Sequence, residues 1–150
     1  MLRTTTVLAL AAAAVLMGPV LAQTSAAAKL QAERQQPYGE YLVDADGRAL
    51  YMFEKDPKGE STCYDACAAV WPPMLTSGKP QTEQAVKDAL VGTVERKGGQ
   101  TQVTYNGMPL YYYAKDQGSG TATGQDVHDQ FGEWYLVSPA GQKIEKEKKS

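Results

Sequence analysis

One ten-residue phrase occurs twice in this chain. Gly47-Arg48-Ala49-Leu50-Tyr51-Met52-Phe53-Glu54-Lys55-Asp56 aligns without a gap with Gly107-Met108-Pro109-Leu110-Tyr111-Tyr112-Tyr113-Ala114-Lys115-Asp116. A fold that contains both must place them equivalently, and internal repetition of this kind means stacked or pseudo-symmetric units sharing a core. Side chains alternate along a strand, so Tyr51 and Phe53 face one side while Leu50 and Met52 face the other. The same holds for Tyr111 and Tyr113 against Leu110 and Tyr112. Both faces are apolar or aromatic, which predicts central rather than peripheral strands.

Turn chemistry supplies the rest of each unit. Tyr41-Leu42-Val43 runs into Asp44-Ala45-Asp46-Gly47 and returns through Ala49–Phe53, with Asp-Gly as the hairpin signal. Gln102–Tyr105 meets Asn106-Gly107 and returns through Pro109–Tyr113. An earlier strand, Gly92–Arg96, turns at Lys97-Gly98-Gly99-Gln100, making a three-strand meander from Gly92 to Tyr113. Tyr135–Gly141 echoes Tyr41–Gly47, as though the repeat starts a third time before fading into Gln142-Lys143-Ile144. Asp56 and Asp116 open turns at the strand ends, at Asp56-Pro57-Lys58-Gly59 and Asp116-Gln117-Gly118-Ser119-Gly120. Helices are expected over Thr62–Val70, opened by Thr62 and Asp65 and stopped by Trp71-Pro72-Pro73. A second is expected over Pro80–Val91, where Ala85, Val86, Ala89 and Leu90 have helical spacing. The fold class is therefore mainly β: a tandem β-hairpin repeat forming one compact antiparallel sheet system, with one or two short helices.

The ends of the chain read differently. Arg3, the apolar run Val7–Met17 and the small residues before Ala22 form a secretory signal peptide over 1–22, cut after Ala22. Residues 23–37, rich in Ala and Gln without a strand pattern, read as a flexible or loosely helical leader. The repeat domain spans 38–144, and 145–150 is a charged, solvated tail. No other stretch is apolar and long enough to cross a bilayer. The first cysteine is Cys63, so no lipobox cysteine stands near the cut, and the expected location is periplasmic or secreted. The net charge of −2, with Lys interspersed among Glu and Asp and no basic stripe, argues against nucleic-acid binding.

These phrases together resemble a bacterial family of secreted repeats and predicted lipoproteins with a Tyr-x-(Phe/Trp/Tyr)-x-x-Asp motif. Tyr51-x-Phe53-x-x-Asp56 and Tyr111-x-Tyr113-x-x-Asp116 both fit it. So do Cys63-x-x-x-Cys67-Ala68-x-x-Trp71-Pro72-Pro73 and Val103-Thr104-Tyr105-Asn106-Gly107-x-Pro109-Leu110-Tyr111. The resemblance covers about Tyr41 to Gly141. It implies an envelope or secreted protein of unknown molecular activity, with no catalytic residues to carry over.

Cys63 and Cys67 are the sharpest chemical feature. In an oxidising compartment they read as a local disulfide, although cysteines one turn apart in a regular helix are poorly oriented for a bridge. Either the helix is distorted there or it starts late. The alternative is a periplasmic copper-binding or thiol-redox protein using Cys63, Cys67 and His128, the single histidine, with Met52, Met74 and Met108 as further soft ligands. That spacing resembles Sco-type copper chaperones, without their alternating βα pattern. A third reading is an enzyme using Asp56, Asp116 and His128 as acid and base, set against their role in turns. No Gly-x-Ser-x-Gly or P-loop pattern is present. The expectation is a binding or structural module of the envelope, with an envelope protein or glycan as partner and no cofactor unless copper. If the loops after Asp56 and Asp116 converge, the redox reading gains; if they lie apart, the repeated phrase is architecture.

Overall fold

The computed structural model describes residues 26–145, with 13–15 and 18. The signal-peptide cut after Ala22, the start of the leader and the tail beyond Glu145 lie outside the described residues. Nine strands form two sheets: β1 Lys29–Gln35, β2 Gly39–Asp44, β3 Tyr51–Phe53, β4 Gln81–Thr82, β5 Val91–Glu95, β6 Thr101–Tyr105, β7 Met108–Tyr111, β8 Val127–His128 and β9 Glu133–Leu136. The larger sheet has the order β5-β6-β7-β3-β9-β8 and the smaller β2-β1-β4. The chain is mainly β, as expected. One pair, β1 with β4, is parallel; every other strand pair is antiparallel.

The repeated phrase lies at the centre of the six-stranded sheet. β3 pairs with β7, with Tyr51 directly opposite Tyr111, so a pseudo-twofold axis runs between the two tyrosines. β1-β2-β3 on one side matches the β5-β6-β7 meander on the other. Each hairpin splays past its turn and admits a Trp-led segment of the other repeat. Residues 71–75 bridge Pro73 to Tyr111 and Leu75 to Gln102. Likewise β9 sets Leu136 opposite Tyr51, and the Val137 carbonyl accepts from Leu42 N–H at 2.9 Å. Trp134–Val137 is thus the counterpart of Trp71–Met74 and closes the second repeat. The apparent third start is a correction to the sequence reading: it ends in a small hairpin bridged at Val137 and Lys143.

Alternation along the central strands divides the core as expected. Tyr51 and Phe53 join Tyr111, Tyr113, both tryptophans and the cysteines in one buried cluster. Leu50, Met52 and Leu110 join Met74, Val103 and Met108 in the other. Burying an aliphatic or aromatic side chain of this kind contributes roughly 1.5–3 kcal/mol.

Three local expectations are overturned. The leader contains β1, paired with β2 from Leu30–Asp44 to Gln35–Gly39; it is the counterpart of β5. The helix before Trp71 is only Ala66–Val70, because Thr62 is held elsewhere and Asp65 turns the chain with φ 52°. Asp65 makes no side-chain cap. Pro80–Val91 is not a continuous helix: Gln81 N–H and Glu83 N–H bond to the Ala28 and Leu30 carbonyls at 2.8 and 2.9 Å. These bonds pair the first residues of β1 on its outer edge, and only a 3-10 turn at Asp88–Leu90 remains. Val86 and Leu90 still pack on the core, so their spacing recorded burial rather than a helix.

Candidate functional site

The residues that define the repeated phrase meet across the pseudo-twofold axis, and they do so reciprocally. Tyr51 Oη donates to Asp116 Oδ2 at 2.6 Å, and Tyr111 Oη donates to Asp56 Oδ2 at 2.6 Å. Each tyrosine thus reaches the aspartate of the other repeat. The second carboxylate oxygen is used the same way on both sides. Asp56 Oδ1 accepts Thr62 N–H at 2.8 Å and Thr62 Oγ1 at 2.6 Å. Asp116 Oδ1 accepts Thr123 N–H at 2.8 Å and Thr123 Oγ1 at 2.6 Å. Each aspartate also begins its turn, with N–H bonds back to Phe53 and Tyr113, as the sequence predicts. The loops cross as well. Gly59 N–H bonds to the Gly107 carbonyl at 2.7 Å. A Cβ on Gly47 (φ 79°) would lie 2.6 Å from Ser119 Oγ, so the loop after Asp116 closes on the turn of the first repeat.

Above the tyrosines lies a stack of four rings. Trp71 and Trp134 lie 4.0 Å apart at 5°, Phe53 stacks on Trp134 at 4.2 Å and Tyr113 on Trp71 at 4.1 Å. Tyr51 and Tyr111 meet Trp71 and Trp134 edge-on. Such pairs add about 0.5–1.5 kcal/mol each beyond burial. Asp129 joins the two indoles: Oδ2 accepts Trp71 Nε1 at 2.8 Å and Oδ1 accepts Trp134 Nε1 at 3.4 Å. Burial raises the Asp129 carboxyl, but the donors from Trp71, Phe131, Gly132 and Trp134 outweigh it and hold it below the usual range. Asp56 goes the other way. Burial pushes its carboxyl up, and the Thr62 and Tyr111 bonds and the charge of Arg96 only partly offset this. Burial also raises both phenols, reinforced by the neighbouring aspartates.

Arg96 completes the Asp56 side. It is 4% exposed. Its Nη1 donates to Ser61 Oγ at 2.6 Å and Gln102 Oε1 at 2.9 Å, and Nη2 to the Cys63 carbonyl at 2.7 Å. Ser61 Oγ lies 2.7 Å from Tyr111 Oη. Because Tyr111 spends its proton on Asp56, the hydroxyl of Ser61 donates to Tyr111. A directed chain therefore runs from Arg96 through Ser61 and Tyr111 to Asp56. Every buried side-chain nitrogen and oxygen among the described residues has a partner.

Cys63 and Cys67 form a disulfide, with Cα atoms 5.3 Å apart. The late start of the helix frees Cys63 from helical geometry and resolves the orientation problem. Both cysteines are buried in the aromatic cluster with Trp71. His128 is not brought to them. Its Nε2 lies 3.2 Å from Asp126 Oδ1 and its Nδ1 3.8 Å from Glu133 Oε1, and its ring meets Tyr135 edge-on. Met52, Met74 and Met108 sit in the opposite core cluster. Among the described residues, no group of three or more His, Cys, Asp or Glu is placed to hold a metal ion. The two loops leave opposite ends of the antiparallel β3–β7 pair, and each closes on the turn of the other repeat, Gly59 on Gly107 and Ser119 on Gly47, so the repeated phrase is architecture: it brings together Tyr–Asp pairs rather than His128 and the cysteines.

Ser61, Thr62, Thr123, Arg96 and Asp129 were missed in the sequence. A signal existed for two of them, since a threonine follows each aspartate, at Asp56…Thr62 and Asp116…Thr123.

The architecture defines a class: a β protein of two cross-braced repeats around one aromatic core. The chain belongs to the Lipoprotein_15 family, described as a secreted repeat of unknown function, which matches residues 34–74 and 92–138. Each match covers one of the two repeats seen in the fold. No curated protein and no solved structure matches the chain. Among the described residues, no helix is long and apolar enough to cross a membrane.

Proposed function

We propose that this protein is an exported scaffold of the cell envelope, cut from a signal peptide after Ala22, that works by binding rather than by catalysis. The observation that supports this reading is the reciprocal Tyr–Asp exchange: both motif aspartates are saturated by donors from within the fold. Groups so occupied hold loops; they do not serve as an acid and base for a substrate. The braced loops Asp56–Ser61 and Asp116–Gly124, one at each end of the central strands, are the surfaces offered for binding, and rigid presentation of loops on a sheet is a common route to recognition. The partner class is an envelope protein or a glycan. Calorimetric titration of peptidoglycan fragments and soluble glycans tests this. Lys58→Ala and Gln117→Ala, both on the loops, should weaken binding at unchanged melting temperature. An enzymatic activity lost in Asp56→Asn at unchanged melting temperature would contradict it.

The second reading is a copper-binding or thiol-redox protein, supported by the paired Cys63 and Cys67. It predicts stoichiometric copper, or reversible thiol release, in protein purified from the periplasm. Metal-free protein whose disulfide resists mild reductant would remove it.

A further inference from the structure

The two repeats differ at one edge. In the first, β4 covers the outer side of β1 at Lys29 and Leu30 through the backbone bonds of Gln81 and Glu83, and the remainder of that edge carries the charges of Glu33 and Arg34. In the second, the equivalent strand β5 ends the six-stranded sheet, and among the described residues no strand pairs with its outer side. The chain after Val137 turns back instead, bridging Val137 to Lys143. At the far end of that sheet β8 has only two residues, whereas β5 has five.

The bonding pattern shows which groups face outward. Asn106 N–H bonds to the Leu90 carbonyl and Arg96 N–H to the Gln100 carbonyl, at either end of a ladder running without a bulge from Val91–Tyr105 to Glu95–Thr101. Antiparallel residues alternate between bonded and non-bonded pairs. Gly92 and Val94 therefore bond to β6, and Val91, Thr93 and Glu95 aim their N–H and C=O groups away from the sheet. Native sheets blunt such edges with Pro, Lys, bulges or short strands. Val91-Gly92-Thr93-Val94-Glu95 carries only the terminal glutamate.

We propose that β5 is a self-association edge, and that two copies of this chain pair β5 to β5, antiparallel, about a twofold axis at Thr93. The outward groups are self-complementary in that register: Thr93 meets Thr93 of the second copy, and Val91 meets Glu95. The flanking charges agree. Exposed Asp88, which pairs with Lys79 at 3.3 Å in its own chain, falls opposite Gly98 and next to exposed Lys97 of the other copy, whereas parallel pairing would set Asp88 against Asp88. An isologous contact of this kind closes at two. Of the long edges among the described residues, β5 is the one without a charge inside the strand, so the product is a dimer with a continuous sheet.

Sedimentation velocity on the exported protein over a wide concentration range tests this. The wild type should sediment as a dimer. Thr93→Lys, which sets like charges on the axis, and Thr93→Pro, which removes only an outward N–H, should both lose the dimer and melt at the temperature of the dilute wild type. Hydrogen exchange at Thr93 and Glu95 should slow with concentration in the wild type and not in Thr93→Lys. A wild type monomeric at every concentration, or a dimer that survives Thr93→Lys, overturns the proposal.

Discussion

The Tyr111–Asp56 and Tyr51–Asp116 loci are the same device built to two standards. Backbone geometry and both threonine bonds are matched. The second donor to the phenol oxygen differs: at Tyr111 it is Ser61, itself tied to Arg96, and at Tyr51 it is Gly124 N–H at 3.1 Å. The position of Arg96 is taken across the axis by Gln35, which accepts from Tyr41 Oη and donates to the Gly120 carbonyl. Asp56 is 5% exposed, whereas Asp116 is half-buried. A repeat fixes where a brace must go; whether it is finished with a buried charge or with neutral groups can diverge. The first finish ties stability to a buried guanidinium and a buried carboxyl linked through two hydroxyls, and the second leaves a locus more tolerant of change.

That difference can be broken from either side. Asp56→Ala should have the largest effect, destabilising by about 3–5 kcal/mol, because it leaves the buried Tyr111 hydroxyl and both Thr62 donors without their acceptor. Asp116→Ala should cost only about 1–2 kcal/mol. Denaturant unfolding with both variants checks the ratio. Arg96→Lys should also be strongly destabilising, by about 2–3 kcal/mol, because a lysine cannot bond Ser61, Gln102 and the Cys63 carbonyl together. Gln35→Ala should fall within about 1 kcal/mol. Cys63→Ser comes next: opening so short a loop removes about 2 kcal/mol in the chain-entropy account. It should leave the Asp116 side unaffected, as read by exchange at Thr123.

The smallest effect is in pH. Asp129 has a depressed carboxyl, so its stabilisation is complete above the unfolded value and is lost as pH falls through the folded one. Asp56 has a raised carboxyl, so the folded state holds the proton more tightly, and stability falls as pH rises from the unfolded value through the folded one. The two slopes oppose each other in the acid range. Asp129→Asn should therefore flatten the acid loss of stability, measured as melting temperature against pH.

How much of this was legible in the sequence depends on which link is asked about. The two-faced strands were legible, because Tyr51 and Phe53 against Leu50 and Met52 state an alternation that only a central strand satisfies. The disulfide was legible from the expected export, while the spacing argued against a bridge within a regular helix. The reciprocity was not: a motif names Tyr51 and Asp56 together, and only the pairing of β3 with β7 sends each to the other repeat. β1 was hidden because Lys29–Gln35 has no β-branched or aromatic residue. Its strand is imposed by pairing with β2, and extending the repeat backward from β5 would have revealed it. Arg96 and Asp129 were hidden because each acts on residues more than thirty positions away in the chain or on both tryptophans at once.

The central claim is that the repeated phrase braces one repeat against the other. Double-mutant cycles on stability test it most directly, using Tyr51→Phe, Tyr111→Phe, Asp56→Asn and Asp116→Asn. Coupling of at least about 1 kcal/mol is expected for Tyr111 with Asp56 and for Tyr51 with Asp116. The pairs within one motif, Tyr51 with Asp56 and Tyr111 with Asp116, should be additive to within about 0.5 kcal/mol. Strong coupling inside a motif, with none across the axis, would contradict the account.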